Sequence, residues 1–475
     1  MLIHSFVRDG HRLIPMEVEL SLWPGLPGIQ FLGLADQQIK ESALRIKSAI
    51  KAQGFQFPKS QQILVNLRPS HLKKTSHGLE LAVALAYLLE SEQIRWPKGV
   101  LTPSVFAYGS LTLDGYVQVP EDFALAVVPD SPVRWLIAGP RPVLRPMGRY
   151  HFAELASLSE LREPLSFSKG ATEPRVWRRP ALNPDLSWSS SEAPLLATVA
   201  AGEHHVLLAG PAGSGKTSMA QVIHQMLPLP AVDWLTTESS VWRPLVQPHH
   251  TVTLRAMIGG GPEVSMGEIS RAHHGTLLLD EFLEMDSQVI ESLREPMEAG
   301  VIRLARGARQ VELPTRFQLM ATSNLCPCGS WVPGTNKTRC RFTLKRCRSY
   351  GERMSGPLLD RFHILHFTKR NQEARGISSV QVLDQVDRAT NYRERRGQKE
   401  SNAWVPIREL ESYEQKLIKA DLLPQQMGSE RRRIATLRVA RTLADLDQQP
   451  HIQNPHLQMA LQWSYGNFNQ VTQWF

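Results

Sequence analysis

The sequence predicts a multidomain α/β protein whose central domain is a parallel sheet built around a phosphate-binding loop. Three observations carry this. At 475 residues the chain exceeds what one ordinary hydrophobic core organises, so two to four domains are expected. Three short apolar runs, Val206 to Ala209, Thr276 to Leu279 and Phe317 to Thr322, are separated by helical segments, the pattern of buried parallel strands with covered faces. The first run passes through a glycine-rich turn into a helix starting near Lys216.

The elements follow in order. Residues 1–165 mix short strands with helices, such as a buried strand from Ile63 to Leu67 and an apolar helix from Leu79 to Leu89, and read as a separate α+β domain. Apolar periodicity vanishes over 166–192, where Arg178-Arg179-Pro180 and Ser187 to Ser191 give the composition of a linker. The α/β core occupies 193–369 and contains a cysteine-bearing insert at 326–347. From 370 to 475 the pattern is helical with no strand signal, and Ser429 opens a basic amphipathic run through Arg441 and Leu446, expected as a helical lid.

Composition narrows the setting. No uninterrupted apolar run approaches the roughly 20 residues that span a bilayer, so no membrane association is expected and the cytoplasm is the expected compartment. The formal charge of +9 favours a polyanionic partner, although a solvated basic surface has the same composition.

Gly210-Pro211-Ala212-Gly213-Ser214-Gly215-Lys216-Thr217, followed by Ser218, fits G-x-x-x-x-G-K-[ST] and lies between a predicted strand and a predicted helix, the context the motif requires. Glycines let backbone N–H groups close around phosphates, and the helix N-terminus favours negative charge. Lys216 is then placed to reach the outer phosphates of ATP, and Thr217 to hold Mg²⁺. Asp280 and Glu281 end a buried apolar strand, a costly place for two carboxylates unless they serve a metal or a reaction. Asp280 is assigned to Mg²⁺ and Glu281 to the general base that activates water. Asn324 is polar just beyond the third strand, where the outer phosphate is expected.

Two further features keep alternatives open. Cys326, Cys328, Cys340 and Cys347 are the only cysteines and lie in one segment; they supply enough thiolates for a structural zinc site, though the spacing lacks paired C-x-x-C knuckles and also suits buried thiols or a remnant site. A hairpin is predicted from Val301 to Leu313, with Arg303, Arg306 and Arg309 near a turn at Gly307. Such arginines would neutralise DNA phosphates without reading sequence, or else stand on a solvated hairpin or a subunit contact. Gly259-Gly260-Gly261 is expected as a mobile loop, with lining of a central channel as a further role. His249 and His250 either face substrate or, the favoured expectation, pack against the sheet.

With these residues in hand, the chain resembles the ComM/YifB family of magnesium-chelatase-like AAA+ ATPases over nearly its whole length. The resemblance is carried by Gly25-Leu26-Pro27-Gly28 through Asp36, Val65-Asn66-Leu67, Arg243-Pro244 with Pro248-His249-His250, Gly267 to His273, and Ser355-Gly356-Pro357-Leu358-Leu359-Asp360-Arg361-Phe362. It implies an AAA+ core, a Lon-protease-like N-terminal domain and a homohexameric ring acting on branched or single-stranded DNA, a helicase promoting branch migration in natural transformation. It implies Arg361 as the finger inserted into a neighbour's site and Arg431, or less favourably Arg438, as the second sensor on the nucleotide of its own subunit. Where the Lon serine motif would fall stands His77-Gly78-Leu79-Glu80, so proteolysis is not expected. Ala212 replaces a usual second proline and His363 a frequent acidic residue; neither removes a catalytic group. A different class, an ATPase remodelling a protein partner as magnesium-chelatase motors do, remains the alternative.

Overall fold

The computed structural model describes residues 1–469 apart from 10–11, 33–36, 69–77, 97–99, 101–103, 121–122, 124–133, 141–149, 171–177, 230–241, 261–264, 307–308, 330–341, 352, 354–358, 370–375, 407 and 411–428. It divides into two compact units, one holding Met1–Val176 and the other Trp177–Pro230 with Val241–Phe475.

The first unit is a mixed eight-stranded sheet with two helices. In chain order it runs β1 (Leu2–Asp9), β2 (Arg12–Pro24), β3 (Gly28–Leu32), α1 (Gln37–Ala52), β4 (Gln61–Arg68), α2 (Leu79–Glu90), β5 (Val105–Tyr108), a two-stranded ribbon of β6 (Ser110–Leu111) and β7 (Val117–Gln118), then β8 (Arg134–Ala138), β9 (Tyr150–Glu154) and β10 (Ser168–Gly170). The sheet order is β10-β9-β8-β5-β1-β2-β4-β3. Helix α2 is buried from Leu79 to Leu89, as its unbroken apolar sequence demands. Its one internal charge, Glu80, is held by the Ser42 hydroxyl at 2.8 Å, Arg45 Nε at 2.8 Å and the Leu111 amide at 2.6 Å. A buried carboxylate with three donors is satisfied, so Glu80 anchors α1 and β6 to α2.

The second unit opens with β11 (Ser187–Trp188), α3 (Glu192–Gly202), β12 (Val206–Ala209) and α4 (Lys216–Gln225). Then come β13 (Leu245–Val246), α5 (Leu254–Ile258), β14 (Gly259–Gly260), β15 (Ser265–Met266), α6 (Glu268–Arg271) and β16 (Thr276–Leu279). After it follow α7 (Ser287–Ser292), α8 (Arg294–Ala299), β17 (Val301–Arg306), β18 (Arg309–Pro314), β19 (Gln318–Ser323), α9 (Leu344–Gly351) and β20 (Ile364–Phe367). The chain closes with β21 (Ile377–Ser378), α10 (Ser379–Arg395), α11 (Glu430–Leu446) and α12 (Asn454–Leu461). Five strands form a wholly parallel sheet in the order β13-β16-β19-β12-β20. Strands β12, β16 and β19 are buried at every residue, which is why their sequences are mainly apolar, with Thr276, Gln318, Thr322 and Ser323 the polar exceptions. The C-terminal helices share a hydrophobic core with α3, α4 and one face of this sheet.

Some expectations are corrected here, whereas the stretch 166–192 does contain the boundary between the two units, and its described ends pack within them: Ser168–Gly170 pairs with β9, Arg179 makes a bidentate pair with Asp387 at 2.8 and 2.9 Å, and the buried Trp188 donates Nε1–H to Ser379 Oγ at 2.9 Å. Its polar composition hid one indole and one guanidinium that find partners far away in sequence. Strand β20 was not anticipated, and beyond Lys369 a strand does occur, β21, pairing antiparallel with β11. Strand β20 is interrupted by His366 and only half buried, and β21 has two residues, so neither stands out as an apolar run. The hairpin is present, with Arg306 opposite Arg309, its turn residue Gly307 lying outside the described residues. Among the described residues no helix is long and apolar enough to cross a membrane.

Candidate functional site

The C-terminal ends of β12, β16 and β19 converge on an open cavity of about 330 Å³ lined by Ala212 to Ser218, Asp280, Glu281 and Thr322 to Asn324. Ligands of open parallel sheets bind at this edge, where strands deliver side chains and helix N-termini face outward. Gly213 and Gly215 take left-handed backbone angles of φ 73° and 83°, and a Cβ at either would meet nothing within 4 Å, so they shape an open cradle. At Gly210 the requirement is different: a Cβ there would collide with the Thr368 carbonyl.

Lys216, 9% exposed, donates to the Gly210 and Pro211 carbonyls at 3.0 and 2.9 Å and to Asn324 Oδ1 at 3.2 Å. The ammonium thus folds over its own loop and lies beside Asn324. Thr217 Oγ1 is 3.1 Å from both Asp280 oxygens. Thr322 also donates to Asp280 and accepts the Glu281 amide at 3.3 Å, a bridging role the sequence reading missed. The hydroxyl and carboxylate set of Thr217 and Asp280 is made of hard oxygen donors, which fits Mg²⁺.

Glu281 stands two residues past β16 with a left-handed backbone (φ 53°), uncommon for a residue with a Cβ, and its side chain is 55% exposed. Its carboxylate meets His250 Nδ1 at 3.3 Å. The expectation that His249 and His250 pack against the sheet is therefore corrected: His249 is exposed, and His250 reaches the candidate base. The physical reason is adjacency of β13 and β16, which brings the turn after β13 beside the end of β16.

The two assigned arginines lie elsewhere. Arg361, 9% exposed, pairs with Glu298 at 2.9 Å and donates Nε–H to the Arg294 carbonyl at 3.3 Å. Burial lowers its pKa from the ordinary arginine value, opposed by Glu298. Arg431 pairs with the same Glu298 oxygen at 2.6 Å and is not among the described residues that line the cavity. The alternative, Arg438, is half-buried and donates to the Val405 carbonyl at 2.8 Å. Between them Arg432, 4% exposed, donates to the Phe362 and Leu359 carbonyls at 2.9 and 2.6 Å, contacts Asp360 at 3.3 Å and stacks on Phe468. It ties the Arg361 segment to α11. Arg432 lies on the buried side of α11 with Ala435, Thr436, Val439 and Ala440.

The cysteine turn abuts the phosphate loop, because the Ala212 amide donates to the Gly329 carbonyl at 2.8 Å. Cys326 and Cys328 place their sulfurs 2.9 Å apart, Cys347 is buried in the same apolar cluster, and Cys340 lies outside the described residues. No group of three metal-ligating side chains occurs among the described residues, so the four-thiolate zinc site is not assembled by them. On the hairpin, Arg303 is shared by Glu312 at 2.8 Å and Glu295 at 3.1 Å. The side chains of Arg306 and Arg309 lie outside the described part.

A glycine cradle, a lysine, a threonine–aspartate pair and a glutamate at the C-terminal edge of a parallel sheet define a P-loop nucleotide site in a mixed α/β core of the AAA+ type. Family comparison agrees: residues 189–375 match the model of magnesium chelatase, subunit ChlI, residues 18–129 that of subunit ChlI of Mg-chelatase, and 376–464 that of the ChlI C-terminal region. The chain is 32% identical to the uncharacterized protein YifB of Escherichia coli, covering 97% of this chain and 96% of that one. It is 29% identical to the competence protein ComM of Haemophilus influenzae, over 94% of each. The chain belongs to the magnesium-chelatase-like ComM/YifB family, which implies use of a nucleotide and Mg²⁺.

Proposed function

We propose that this chain is a cytoplasmic ATP hydrolase that assembles into a homohexameric ring and drives DNA translocation, promoting branch migration of recombination intermediates. The observation that carries the hydrolase is convergence: Lys216, Thr217, Asp280, Glu281 and Asn324 come from three strand ends and line one cavity. Lys216 exchanges its loop carbonyls for the outer phosphates, and Asn324 stays beside that ammonium. Thr217 and Asp280 would hold Mg²⁺, which would supply neutralisation of charge on the phosphates. Glu281 takes a proton from the attacking water. Arg361, freed from Glu298, stabilises charge on the transferred phosphoryl group of a neighbouring subunit. The N-terminal unit is read as Lon-like without proteolytic chemistry, since His77-Gly78-Leu79-Glu80 stands where the serine motif would fall and Val117 to Leu125 offers no lysine.

The DNA reading is supported by the +9 charge and by the competence protein among the relatives. A protein-remodelling ATPase is the second reading, favoured by the double pairing of Arg303 with carboxylates, which leaves that hairpin cation largely neutralised. Steady-state ATP hydrolysis, measured with and without branched, single-stranded and duplex DNA at two salt concentrations, separates them. Stimulation that fades with salt is expected; turnover indifferent to every DNA would select the remodelling ATPase.

A further inference from the structure

Arg361 sits in a tight turn, Leu359-Asp360-Arg361-Phe362, closed by the Phe362 amide on the Leu359 carbonyl at 3.1 Å. A single guanidinium spans both ends of that turn. Arg432 Nη1 donates to the Phe362 carbonyl at 2.9 Å, while Nη2 donates to the Leu359 carbonyl at 2.6 Å and to the Asp360 carboxylate at 3.3 Å. The residues on either side of Arg361 are thus pinned by one planar fork. A guanidinium can serve acceptors at two ends of a turn at once, whereas a lysine ammonium is a point charge without that fixed fork.

The fork is itself held in place. The Arg432 amide, in the first turn of α11, donates to the capping hydroxyl of Ser429 at 3.2 Å, and its guanidinium carbon lies 3.6 Å from the Phe468 ring centroid. Burial lowers its pKa to about 10, opposed by Asp360, so the group stays cationic at neutral pH. The turn is anchored a second time by Phe362, which is fully buried and set edge-on to Phe282 with centroids 5.7 Å apart. Glu298 and the Arg294 carbonyl, by contrast, hold the Arg361 side chain and not the backbone that carries it.

We propose that Arg432 is the positioning residue of Arg361: by tying both ends of the turn to α11, it sets where the finger guanidinium stands in the neighbouring subunit's site. The inference rests on the reading of Arg361 as a finger acting on a neighbour. A displacement of about 1 Å in a reacting group costs on the order of a hundred-fold in rate. Because the finger acts on the transition state of another subunit's nucleotide, that loss falls on kcat and spares KM.

The test measures kcat and KM for ATP, with urea midpoints alongside, on the full-length wild type, R361A, R432L, R432K and the double variants R361A/R432L and R361A/R432K. R432L keeps an apolar side chain against Phe468 and is expected to lose about thirty-fold in kcat at unchanged KM, less than R361A. R432K, cationic but without the fork, should lose about ten-fold. Since Arg432 acts through Arg361, neither double variant should be slower than R361A alone. A kcat of R432K equal to that of the wild type, or losses that multiply in the double variants, overturns the inference and leaves the finger reading standing. Should R432L fail to fold, R432K and its double variant decide by the same comparison. Turnover of R361A at the wild-type rate removes the finger reading itself, and this inference with it.

Discussion

The two edges of the five-stranded sheet handle titratable side chains in opposite ways. At the C-terminal edge, Lys216, Asp280 and Glu281 stand around an open cavity with partners that a nucleotide can replace. At the N-terminal edge, His204 and His205 precede β12 and His363 precedes β20, all three buried. His204 Nδ1 lies 3.3 Å from His363 Nδ1, His204 Nε2 is 2.7 Å from Thr442 Oγ1, and His205 Nδ1 accepts the Leu319 amide at 3.0 Å. Burial, reinforced by Arg438, pushes His204 and His205 down to about 3; burial and the neighbouring imidazoles push His363 well down too. The histidines are neutral mortar between α11 and the sheet, whereas the carboxylates opposite are held for chemistry. One sheet separates a reactive edge from a structural one, and Arg361 and His363 both precede β20 on the structural side.

The sharpest break of this contrast is Lys216→Ala. Turnover should fall by about a thousand-fold or more with loss of nucleotide binding, while the urea midpoint of the nucleotide-free protein changes little; equilibrium binding of a fluorescent ATP analogue checks it. Next is Arg361→Ala, expected to lower turnover by about a hundred-fold or more while ATP binding persists. If the finger acts on a neighbour, mixed rings of Arg361→Ala and Lys216→Ala subunits should recover part of the activity that each lacks alone; a mixture as inactive as its components would place Arg361 in its own subunit's chemistry or in structure.

The smallest effect concerns the opposite edge. Histidines with depressed folded pKa values bind fewer protons folded than unfolded between pH 6.5 and about 3. Their stabilising contribution is complete above pH 6.5 and is lost as pH falls below it, by at most about 1.4 kcal/mol per histidine per pH unit. Urea midpoints should therefore drop between pH 7 and 5, and His363→Asn should drop less steeply over that interval. An equal slope in the variant would show that carboxylates elsewhere account for the acid sensitivity.

Much of the reactive edge was legible in the sequence because its chemistry is local. A phosphate loop needs glycines and a lysine at fixed spacing, and a buried strand ending in two carboxylates announces itself by the clash between burial and charge. The arginines were not legible in the same way. Arg431, Arg432 and Arg438 occupy one basic helix, and only packing shows that Arg432 clamps the Arg361 segment while Arg431 meets Glu298. His250 was misjudged for a similar reason, since its partner lies 31 positions along the chain and is reached through strand pairing.

By itself the sequence determined the phosphate-binding chemistry, the buried strands β12, β16 and β19, the apolar helix α2 and the family. Each depends on residue types at short spacing, where periodicity and backbone requirements act directly. Tertiary structure decided that Glu281 faces His250, that Glu298 holds both Arg361 and Arg431, that the cysteine turn braces the phosphate loop, and that the described ends of the stretch 166–192 are packed. Those contacts join residues tens to hundreds of positions apart, and only the assembled sheet and its covering helices bring such side chains within hydrogen-bond reach.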